Sequence, residues 1–403
     1  MIHKPIFFFL TMFLFIGNCV TGEPQYKEQL IFDPVQESHG HVHASCIVEC
    51  PNGDLLAVWY ENGPVRDDYF YKGPNRDKSD DVRIGGARRL NGADAWSTPF
   101  VMSDTYGVSD NNPCMVIDRE ERLWLFHPTL TCVPDHAWGS SILNFKFSSD
   151  YQKSGPPRWD RESILIIRPN GLDEEIQKRI ETLRQRAAGD ERALERIQSR
   201  LDRLSDPFAR RFGWMPRAHP LILSNGTLLL PVSNENFSYP AMVMTSDGGE
   251  TWITSRVVPG GGATQPTVVE LPDKSLIAFF RSGEKRIKRS ESHDGGMTWS
   301  EITLTDLPHP GAGIEALLLC NGHLLMIYND KEDDPRDSLA VSISEDQGKT
   351  WKWTRHVAKV PNERFDYPSI IQAKDGTLHA TWSYNTKAIQ YAHFNEEWIQ
   401  AGE

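Results

Sequence analysis

Apolar residues occur in pairs of short runs separated by turn residues, and this unit recurs six times along the chain. The turns carry Asn-Gly, Asp-Gly or similarly polar residues, which between alternating apolar runs predict β-hairpins. The six predicted hairpins span residues 46–60, 114–127, 221–233, 267–281, 317–329 and 369–383. Such a repeat indicates one supersecondary unit repeated in space.

An eight-residue motif follows three of these hairpins, at residues 245–252, 292–299 and 344–351. It begins with Ser or Thr and continues x-D-x-G-x-T-W, and its copies lie about 50 residues apart, the period of a large repeat unit. The aspartate can accept hydrogen bonds from a tight turn, the glycine allows positive φ, and the tryptophan buries apolar surface. The motif therefore predicts a locked turn rather than a reaction centre.

Tryptophans follow all six hairpins in phase: Trp96, Trp159, Trp252, Trp299, Trp351 and Trp398. Six units that cannot fold alone predict an all-β protein with the architecture of a six-bladed β-propeller. A closing strand near Ile31 would complete the last blade. We expect residues 23–403 to form this single domain.

One segment, residues 173–205, interrupts the rhythm. Its apolar residues recur at helical spacing, and Gly189-Asp190 can end one helix and cap the next. We expect a helical hairpin inserted between blades 2 and 3. The pattern leaves open whether it forms a lid, an interface or a solvated decoration.

The N-terminus predicts a signal peptide over residues 1–22. His3 and Lys4 precede an apolar run at residues 5–16, and Val20 and Gly22 fit cleavage after Gly22. The expected location is therefore secreted or periplasmic. Cys19 raises the alternative of a lipoprotein anchor, but Asn18 before it is unfavourable.

The formal charge of −12 disfavours nucleic acid or an anionic membrane as the main partner. The five cysteines beyond the leader form an odd, scattered set, which does not indicate a disulfide framework. His41-x-His43 resembles part of a metal site, but no further ligands follow at suitable spacing. We expect no metal and no cofactor.

Polar and charged residues stand where the predicted hairpins begin and end, and these positions share one mouth of the propeller axis. They predict a polar binding pocket at that mouth. Residues at the starts of the first strands include His43, Asn112, Arg217, His219, Gln265, Glu315 and Tyr367. Residues at or after the ends of the second strands include Glu61, Arg66, Asp81, Arg83, Asn234, Arg281 and Tyr384.

The eight-residue motifs resemble the Asp-boxes, or bacterial neuraminidase repeats, of sialidases. The stretches from His43 to Trp59, from Gln265 to Pro272 and from Phe365 to Gln372 are also similar to that propeller family. The resemblance covers nearly the whole chain after the leader except the helical segment. It is specific for the fold and less specific for activity, because Asp-boxes also occur in propellers with other functions.

The resemblance implies an active site with a Tyr nucleophile, a Glu that activates it, an Asp acid/base and three arginines for the substrate carboxylate. In order and blade position, Tyr367 and Glu315 match the Tyr–Glu pair. Guanidinium groups suit carboxylates, which makes Arg217 and Arg281 the carboxylate-binding arginines. For the acid/base, the first-blade acids are possible: Glu61, Asp67, Asp68, Asp80 and Asp81. The third arginine would be Arg66 or Arg83.

The sequence departs from the family pattern because no Phe-Arg-Ile-Pro motif precedes the first blade. A uronate therefore fits as well as sialic acid. The first hypothesis is an exo-glycosidase that hydrolyses a terminal acidic sugar from a glycan. The second is a glycan-binding propeller without turnover. The third is a polysaccharide lyase in which His43, His219 or Tyr367 removes a proton beside a uronate carboxylate.

Overall fold

The alternating apolar runs form strands of six antiparallel sheets in a computed structural model. The structure describes residues 22–71, 76–132 and 137–402. The expected leader therefore lies outside the described residues, apart from Gly22. The sheets surround one axis, and the predicted six-bladed, all-β propeller is confirmed.

The strands of the first three blades are bounded as follows. Blade 1 contains β2 (His43–Glu49), β3 (Leu55–Asn62), β4 (Val82–Arg89) and β5 (Phe100–Ser103). Blade 2 contains β6 (Ser109–Asp110), β7 (Cys114–Ile117), β8 (Leu123–Leu130), β9 (Ser141–Ser148) and β10 (Arg161–Leu165). Blade 3 contains β11 (Trp214–Met215), β12 (Leu221–Ile222), β13 (Leu228–Asn234), β14 (Tyr239–Thr245) and β15 (Ile253–Thr254).

The remaining three blades have four strands each. Blade 4 contains β16 (Ala263–Glu270), β17 (Leu276–Ser282), β18 (Arg286–Ser292) and β19 (Thr303–Pro308). Blade 5 contains β20 (Glu315–Leu318), β21 (Leu324–Tyr328), β22 (Ser338–Ser344) and β23 (Trp353–Lys359). Blade 6 contains β24 (Phe365–Gln372), β25 (Leu378–Tyr384), β26 (Ala388–Phe394) and, from the other end of the chain, β1 (Tyr26–Leu30).

The ring closes through β1, which pairs antiparallel with β26 from Tyr26 opposite Phe394 to Leu30 opposite Gln390. The tyrosine ring also stacks on Trp398 at a centroid distance of 4.6 Å. The predicted closing strand therefore forms just before Ile31. It covers the outer edge of blade 6, which would otherwise present unpaired backbone groups.

The first strand of each blade lies innermost, since these strands contact those of the neighbouring blades around the axis. Three inner strands share a break in register near the mouth, at residues 43–46, 264–267 and 366–369. Each break contains a residue with left-handed φ: Ala44 at 56°, Gln265 at 50° and Tyr367 at 52°. These bulges redirect side chains at the mouth and place function-bearing residues in strained backbone.

The Asp-boxes form the turns between the third and fourth strands, away from the axis. In the last box, Asp346 accepts hydrogen bonds from the Thr350 amide at 2.8 Å, the Thr350 hydroxyl at 2.6 Å and the Ser344 hydroxyl at 2.8 Å. These bonds lower the pKa of Asp346 to about 2. The boxes are therefore the turn locks that their sequence predicts.

Helices α1 (Leu172–Arg186) and α2 (Glu191–Ser205) lie between β10 and β11 in the chain and contact each other. The Asp190 side chain accepts from the Ala193 amide, as expected of a residue that caps the second helix. Two shorter helices are α3 (Pro207–Arg211) and α4 (Glu396–Gln400), and 3-10 turns occupy Arg76–Lys78 and Trp138–Ser140. None of the described helices combines the length and apolarity needed to cross a bilayer.

We expect Asp346→Ala to destabilise the protein in a pH-dependent manner. The folded-state pKa lies below the ordinary 3.8, so the stabilisation is complete above pH 3.8 and disappears as the pH falls towards about 2. Chemical unfolding of wild type and variant between neutral and acidic pH measures this difference. Asp306→Ala on the exposed strand β19 is the control. A difference that stays constant with pH would contradict the turn-lock account.

Candidate active site at the axial mouth

Buried polar atoms without a hydrogen-bond partner in the described residues concentrate at the mouth where the inner strands begin. Native proteins satisfy nearly all buried polar atoms, so such a concentration marks a place built to meet a polar ligand or water. These atoms include His43 Nδ1, Ser45 Oγ, Arg217 Nε, Glu235 Oε1, Arg336 Nε and both ring nitrogens of His309. These unpaired polar atoms support the predicted polar pocket at this mouth.

Tyr367 stands at the centre of this group. Its hydroxyl oxygen accepts a hydrogen bond from Arg281 Nη1 at 2.7 Å and one from the Gln265 amide at 3.3 Å. The ring of His43 meets the tyrosine ring edge-on, with centroids 4.4 Å apart. Arg281 also donates to Gln265 Oε1 at 3.3 Å, which closes a small network around the phenol.

Arg217 lies behind the tyrosine rather than in front of it. The guanidinium is buried, donates to the carbonyl oxygens of Pro368 and Ser45, and has its carbon 5.2 Å from the centroid of the Tyr367 ring. Burial lowers its pKa, while the nearby Glu315 opposes this effect. The structure therefore places Arg217 as a support for the backbone of Tyr367, and substrate contact by it remains a prediction.

Glu315 lies on the axis and does not hydrogen-bond to Tyr367. Its Oε1 accepts from the His219 amide and ring Nδ1, both at 2.7 Å, and its Oε2 accepts from the Ile370 amide at 3.1 Å. Burial opposes ionisation of Glu315, but the His219 and Arg217 charges hold its pKa below the ordinary value. Tyr367 and Glu315 therefore lie on neighbouring inner strands, β24 and β20, and their side chains form no hydrogen bond with each other.

His219 completes this axial pair. Its other ring nitrogen lies 2.7 Å from the Ile47 carbonyl oxygen and 3.3 Å from Cys46 Sγ. Burial alone would lower the pKa of His219, but Cys46 and Glu315 outweigh it and hold the pKa well above the ordinary value. The imidazole is therefore a cation that bridges a carboxylate and a carbonyl, which is the geometry of a structural ion pair.

The sequence reasoning missed Arg336, which lies in the loop between β21 and β22. Its Nη1 is 2.6 Å from Asp366 Oδ1, and its Nη2 donates to the Gly311 carbonyl at 3.0 Å. Arg364 binds the other oxygen of Asp366. Two guanidiniums thus meet one buried carboxylate directly beside Tyr367, and Arg336 Nε also lies 3.5 Å from the exposed Asp334.

His309 and His43 are buried imidazoles next to these arginines. Burial lowers the pKa of each to about 3, with Arg281 and Arg336 adding to the effect on His309. The amide of His309 donates to the Lys285 carbonyl, which places its loop between blade 4 and Arg336. Both rings are therefore neutral at physiological pH, and each offers nitrogen atoms that form no hydrogen bond with described residues.

Glu235 also lies at this mouth. It follows β13, and in this strand the Ser233 hydroxyl accepts a hydrogen bond from the backbone amide of Gln265 at 2.9 Å. Glu235 therefore lies beside the hydrogen-bond network of Tyr367. Its Oε1 is enclosed without a partner. Burial raises the pKa of Glu235, and the charge of Arg281 only partly opposes this. Such a carboxyl group keeps its proton to a higher pH than an exposed glutamic acid.

The first-blade residues form a separate cluster. Glu61 accepts from Trp59 Nε1 at 2.8 Å and pairs with Arg83 at 3.0 Å and with His39 at 3.0 Å. The guanidinium carbon of Arg66 lies 4.9 Å from the centroid of the Tyr106 ring. The structure does not bring these residues into contact with Tyr367.

The other predicted residues take three kinds of position. Asp81 is buried just before β4, and its carbonyl accepts from the Gly63 amide. Asn112 is buried with left-handed φ of 38°, and Asn234 Oδ1 caps the amides of Asn236 and Phe237. Tyr384 stacks on Phe365 at 5.8 Å. No contact of these four residues with the Tyr367 hydroxyl occurs within the described residues, so their roles stay predictions.

A sequence signal for the missed residues is weak but real. Glu235 directly follows β13, the second strand of blade 3, at a position where the sequence predicts a residue of the mouth. Arg336 lies in a loop rich in acidic residues, where its own role is hard to single out, and His309 lies in a Pro-flanked connection. Only the fold shows that these loops reach the axial mouth.

The fold defines the class of protein: a six-bladed β-propeller with Asp-box turns. The family described as BNR repeat-like domain matches residues 208–380. A sialidase of Micromonospora viridifaciens is 25% identical, with 94% of this chain and 55% of the relative covered. The chain thus spans about half the length of that curated relative.

Solved structures give the same fold. A Streptococcus pneumoniae sialidase aligns with a TM-score of 0.65 at 12% identity, covering 92% of this chain and 71% of that chain. A protein of unknown function from Dyadobacter fermentans aligns with a TM-score of 0.66 at 15% identity, covering 92% of this chain and 99% of that one. The resemblance to sialidase-like BNR-repeat propellers that was read from the sequence is confirmed.

We expect Glu315→Gln to lower the free energy of unfolding by about 3 kcal/mol, because breaking a buried ion pair leaves the His219 charge uncompensated. Denaturant unfolding at neutral pH measures the loss. Glu250→Gln, which removes a surface pair with Arg161, is the matched control and should change stability by less than about 1 kcal/mol. Equal stability of both variants would show that the axial pair does not hold the propeller together.

Proposed function

We propose that the protein is a secreted exo-glycosidase of sialidase type, which hydrolyses a terminal acidic sugar from a glycan. The observation that carries this proposal is the hydrogen bond from Arg281 to the Tyr367 hydroxyl at the axial mouth. It joins a potential nucleophile to a group that binds carboxylates. The sialidases among its relatives support the same reaction class.

In this proposal the Tyr367 oxygen bonds to the anomeric carbon while the bond from that carbon to the leaving oxygen breaks. The leaving oxygen takes a proton from Glu235, and the phenol proton passes to solvent water at the mouth. A phenol suits a sugar whose anomeric carbon carries a carboxylate, because a neutral nucleophile is repelled less than a second carboxylate would be. Arg281 and Gln265 direct the phenol oxygen, and the edge of His43 fixes the ring plane. Water then releases the sugar from the tyrosine, so the reaction retains configuration.

The substrate carboxylate would meet Arg281 and Arg336. Two neighbouring guanidiniums can bind one carboxylate through paired hydrogen bonds. Asp366 and the exposed Asp334 hold Arg336 in position for this contact. His309, with its free ring nitrogens, lies beside the same arginines and can accept from a sugar hydroxyl.

Glu235 is the group we propose for proton transfer to the leaving oxygen. Burial raises the pKa of Glu235, so this carboxyl group keeps its proton to a higher pH than an exposed glutamic acid, which is the direction that a general acid requires. In the first-blade acid Glu61, by contrast, the carboxylate oxygens already bind Trp59, Arg83 and His39. The first-blade acids remain alternative predictions for the acid/base.

A specific observation also favours a second candidate, a uronate-directed lyase. An amide, Gln265, contacts the Tyr367 hydroxyl in the place where the Tyr–Glu pairing of sialidases implies a carboxylate. The neutral imidazole of His43 touches the tyrosine ring and has a free Nδ1. A neutral base beside arginines suits removal of the proton next to a uronate carboxylate.

The third candidate is a glycan-binding propeller without turnover, and the same amide supports it.

The chain is also proposed to carry a cleaved leader, to be secreted, and to hold α1 and α2 as a helical hairpin inserted between blades 2 and 3. Contacts of α1 with Tyr239 and Gly260 support this proposal, because they bring the segment next to blade 3, where it would shape access to the site.

Turnover by wild type and Tyr367→Phe tests the function. We expect the wild type to release the free sugar from a sialoside or a uronide and the variant to lose kcat by at least about 10³-fold, since the covalent step disappears. Product analysis separates the candidates: a hydrolase gives a saturated sugar and a lyase gives an unsaturated product that absorbs ultraviolet light. Full turnover by the Phe variant excludes Tyr367 as nucleophile, and binding without product from any acidic glycan supports the non-catalytic candidate.

Glu235→Gln should change the pH profile. A general acid with a raised pKa is active below that pKa, and activity falls as the pH rises through it. The Gln variant should therefore have a kcat/KM lower by about 10²–10⁴-fold and no alkaline decline of this origin. Glu250→Gln, an exposed carboxylate outside the mouth and the cavities beside it, serves as control. An unchanged profile in the Glu235 variant would contradict the assignment.

A further inference from the structure

A second cavity lies beside the axial mouth, between helix α1 and the beginning of blade 4. We call it the outer cavity, and its volume is about 600 Å³. Its wall on one side is the face of α1 that carries Glu175, Arg179 and Arg186, and on the other side Tyr239, Gly260–Gly262 and Lys288. The proposed reaction at Tyr367 uses none of these residues.

The helix is fixed to the ring at this point by direct contacts. The Tyr239 hydroxyl donates to the Glu175 carbonyl at 2.9 Å, and the Gly260 amide donates to the Glu175 carboxylate at 3.3 Å. Gly261 passes so close to Tyr239 that an added Cβ would lie 2.6 Å from the ring. The outer cavity is therefore a built space with defined walls rather than a gap under a loose helix.

The cations of the outer cavity are only partly neutralised. Lys178 pairs with Glu175 and Lys288 pairs with Glu284. Arg179 lies 6.0 Å from the centroid of the Tyr239 ring, and neither it nor Arg186 forms an ion pair within the part of the chain that the structure describes. These two arginines lie seven residues apart, two helical turns, and so face the same side of α1. In a chain with a formal charge of −12, such a pair is a local exception.

The position of the outer cavity relates it to the axial site. Lys288 pairs in register with Phe280, the residue before Arg281, and Gly262 lies three residues before Gln265. At about 3.3 Å per strand residue, these separations correspond to about 10 Å or less. That is the span of one or two sugar units next to a sugar held at Tyr367.

We propose that the outer cavity binds an acidic group on the second or third sugar of the substrate, so that the glycan is a polyanionic oligosaccharide. This inference rests on the proposed function, because it places the terminal sugar at Tyr367. The recognising groups are the guanidiniums of Arg179 and Arg186, which suit a carboxylate or a sulfate equally. The helical segment thereby gains a role in selecting chain length.

Calorimetric binding tests the inference with four probes: sialic acid, galacturonic acid and the linear tetramer of each. Every protein in this test, including the one called wild type, also carries Tyr367→Phe, so that the tetramers are bound without being hydrolysed. The double variant Arg179→Gln/Arg186→Gln removes the charges, while Arg184→Gln on the same helix, outside the cavity lining, is the matched control. We expect wild type and control to bind one tetramer about tenfold more tightly than its monomer, as charge-assisted hydrogen bonds predict. The double variant should lose this preference and keep monomer affinity, with thermal unfolding unchanged.

The outcomes separate the inference from the function on which it rests. A tetramer preference that persists in the double variant, or monomer binding without any tetramer preference in the wild type, overturns the outer cavity as a subsite and leaves the function standing. Failure of all four probes to bind the wild type overturns both. Loss of the preference in Arg184→Gln as well as in the double variant would assign it to the total charge of α1 and overturn the subsite.

Discussion

The buried pair of Glu315 and His219 is the constraint on which the propeller most depends. Glu315 belongs to blade 5 and His219 to blade 3, while their remaining bonds reach the Ile370 amide of blade 6 and the Ile47 carbonyl of blade 1. One ion pair thus joins four blades on the axis. A lone charge in that position would be costly, so each partner makes the other necessary.

The mouth follows from how the inner strands approach this axis. A regular strand alternates its side chains, so Tyr367 and Ser369 would point to the same side. The register break at residues 366–369 and the left-handed φ of Tyr367 change that alternation. The equivalent break at Gln265 brings its amide to the tyrosine hydroxyl. Strained backbone is maintained where the surrounding ring fixes it, and here it positions the proposed reacting group.

Much of the fold could be read from the sequence because its signals are local and repeated. Hairpin turns, Asp-boxes and the apolar period each report one unit, and six units imply closure. The closing strand near Ile31 followed from the count alone. The first strands lie innermost, so the strand starts that the sequence analysis assigned to one mouth do surround the axis.

The site was less predictable because it depends on side-chain direction and on loops. Arg217 stands in the expected place in the chain, yet its guanidinium turns back to the carbonyl oxygens of Pro368 and Ser45. Glu315 matched the order expected of a partner for Tyr367, yet its oxygens bind His219 and Ile370. A β-bulge or a buried hydrogen bond decides such directions, and neither leaves a clear pattern in a single sequence. Arg336 and His309 come from connections whose course only the ring defines.

The amide of Gln265 has a consequence for the charge of the site. It accepts from Arg281 and donates to Tyr367, so it links the guanidinium to the phenol without adding negative charge. A glutamate there would accept from both and neutralise Arg281. With Gln265, the positive charge of Arg281 remains available to a ligand, and a substrate carboxylate is the group that would complete it. The amide also leaves the Tyr367 hydroxyl without a carboxylate among its hydrogen-bond partners in the described residues. The charges of the site therefore support the binding of an acidic ligand more directly than they support either hydrolysis or elimination.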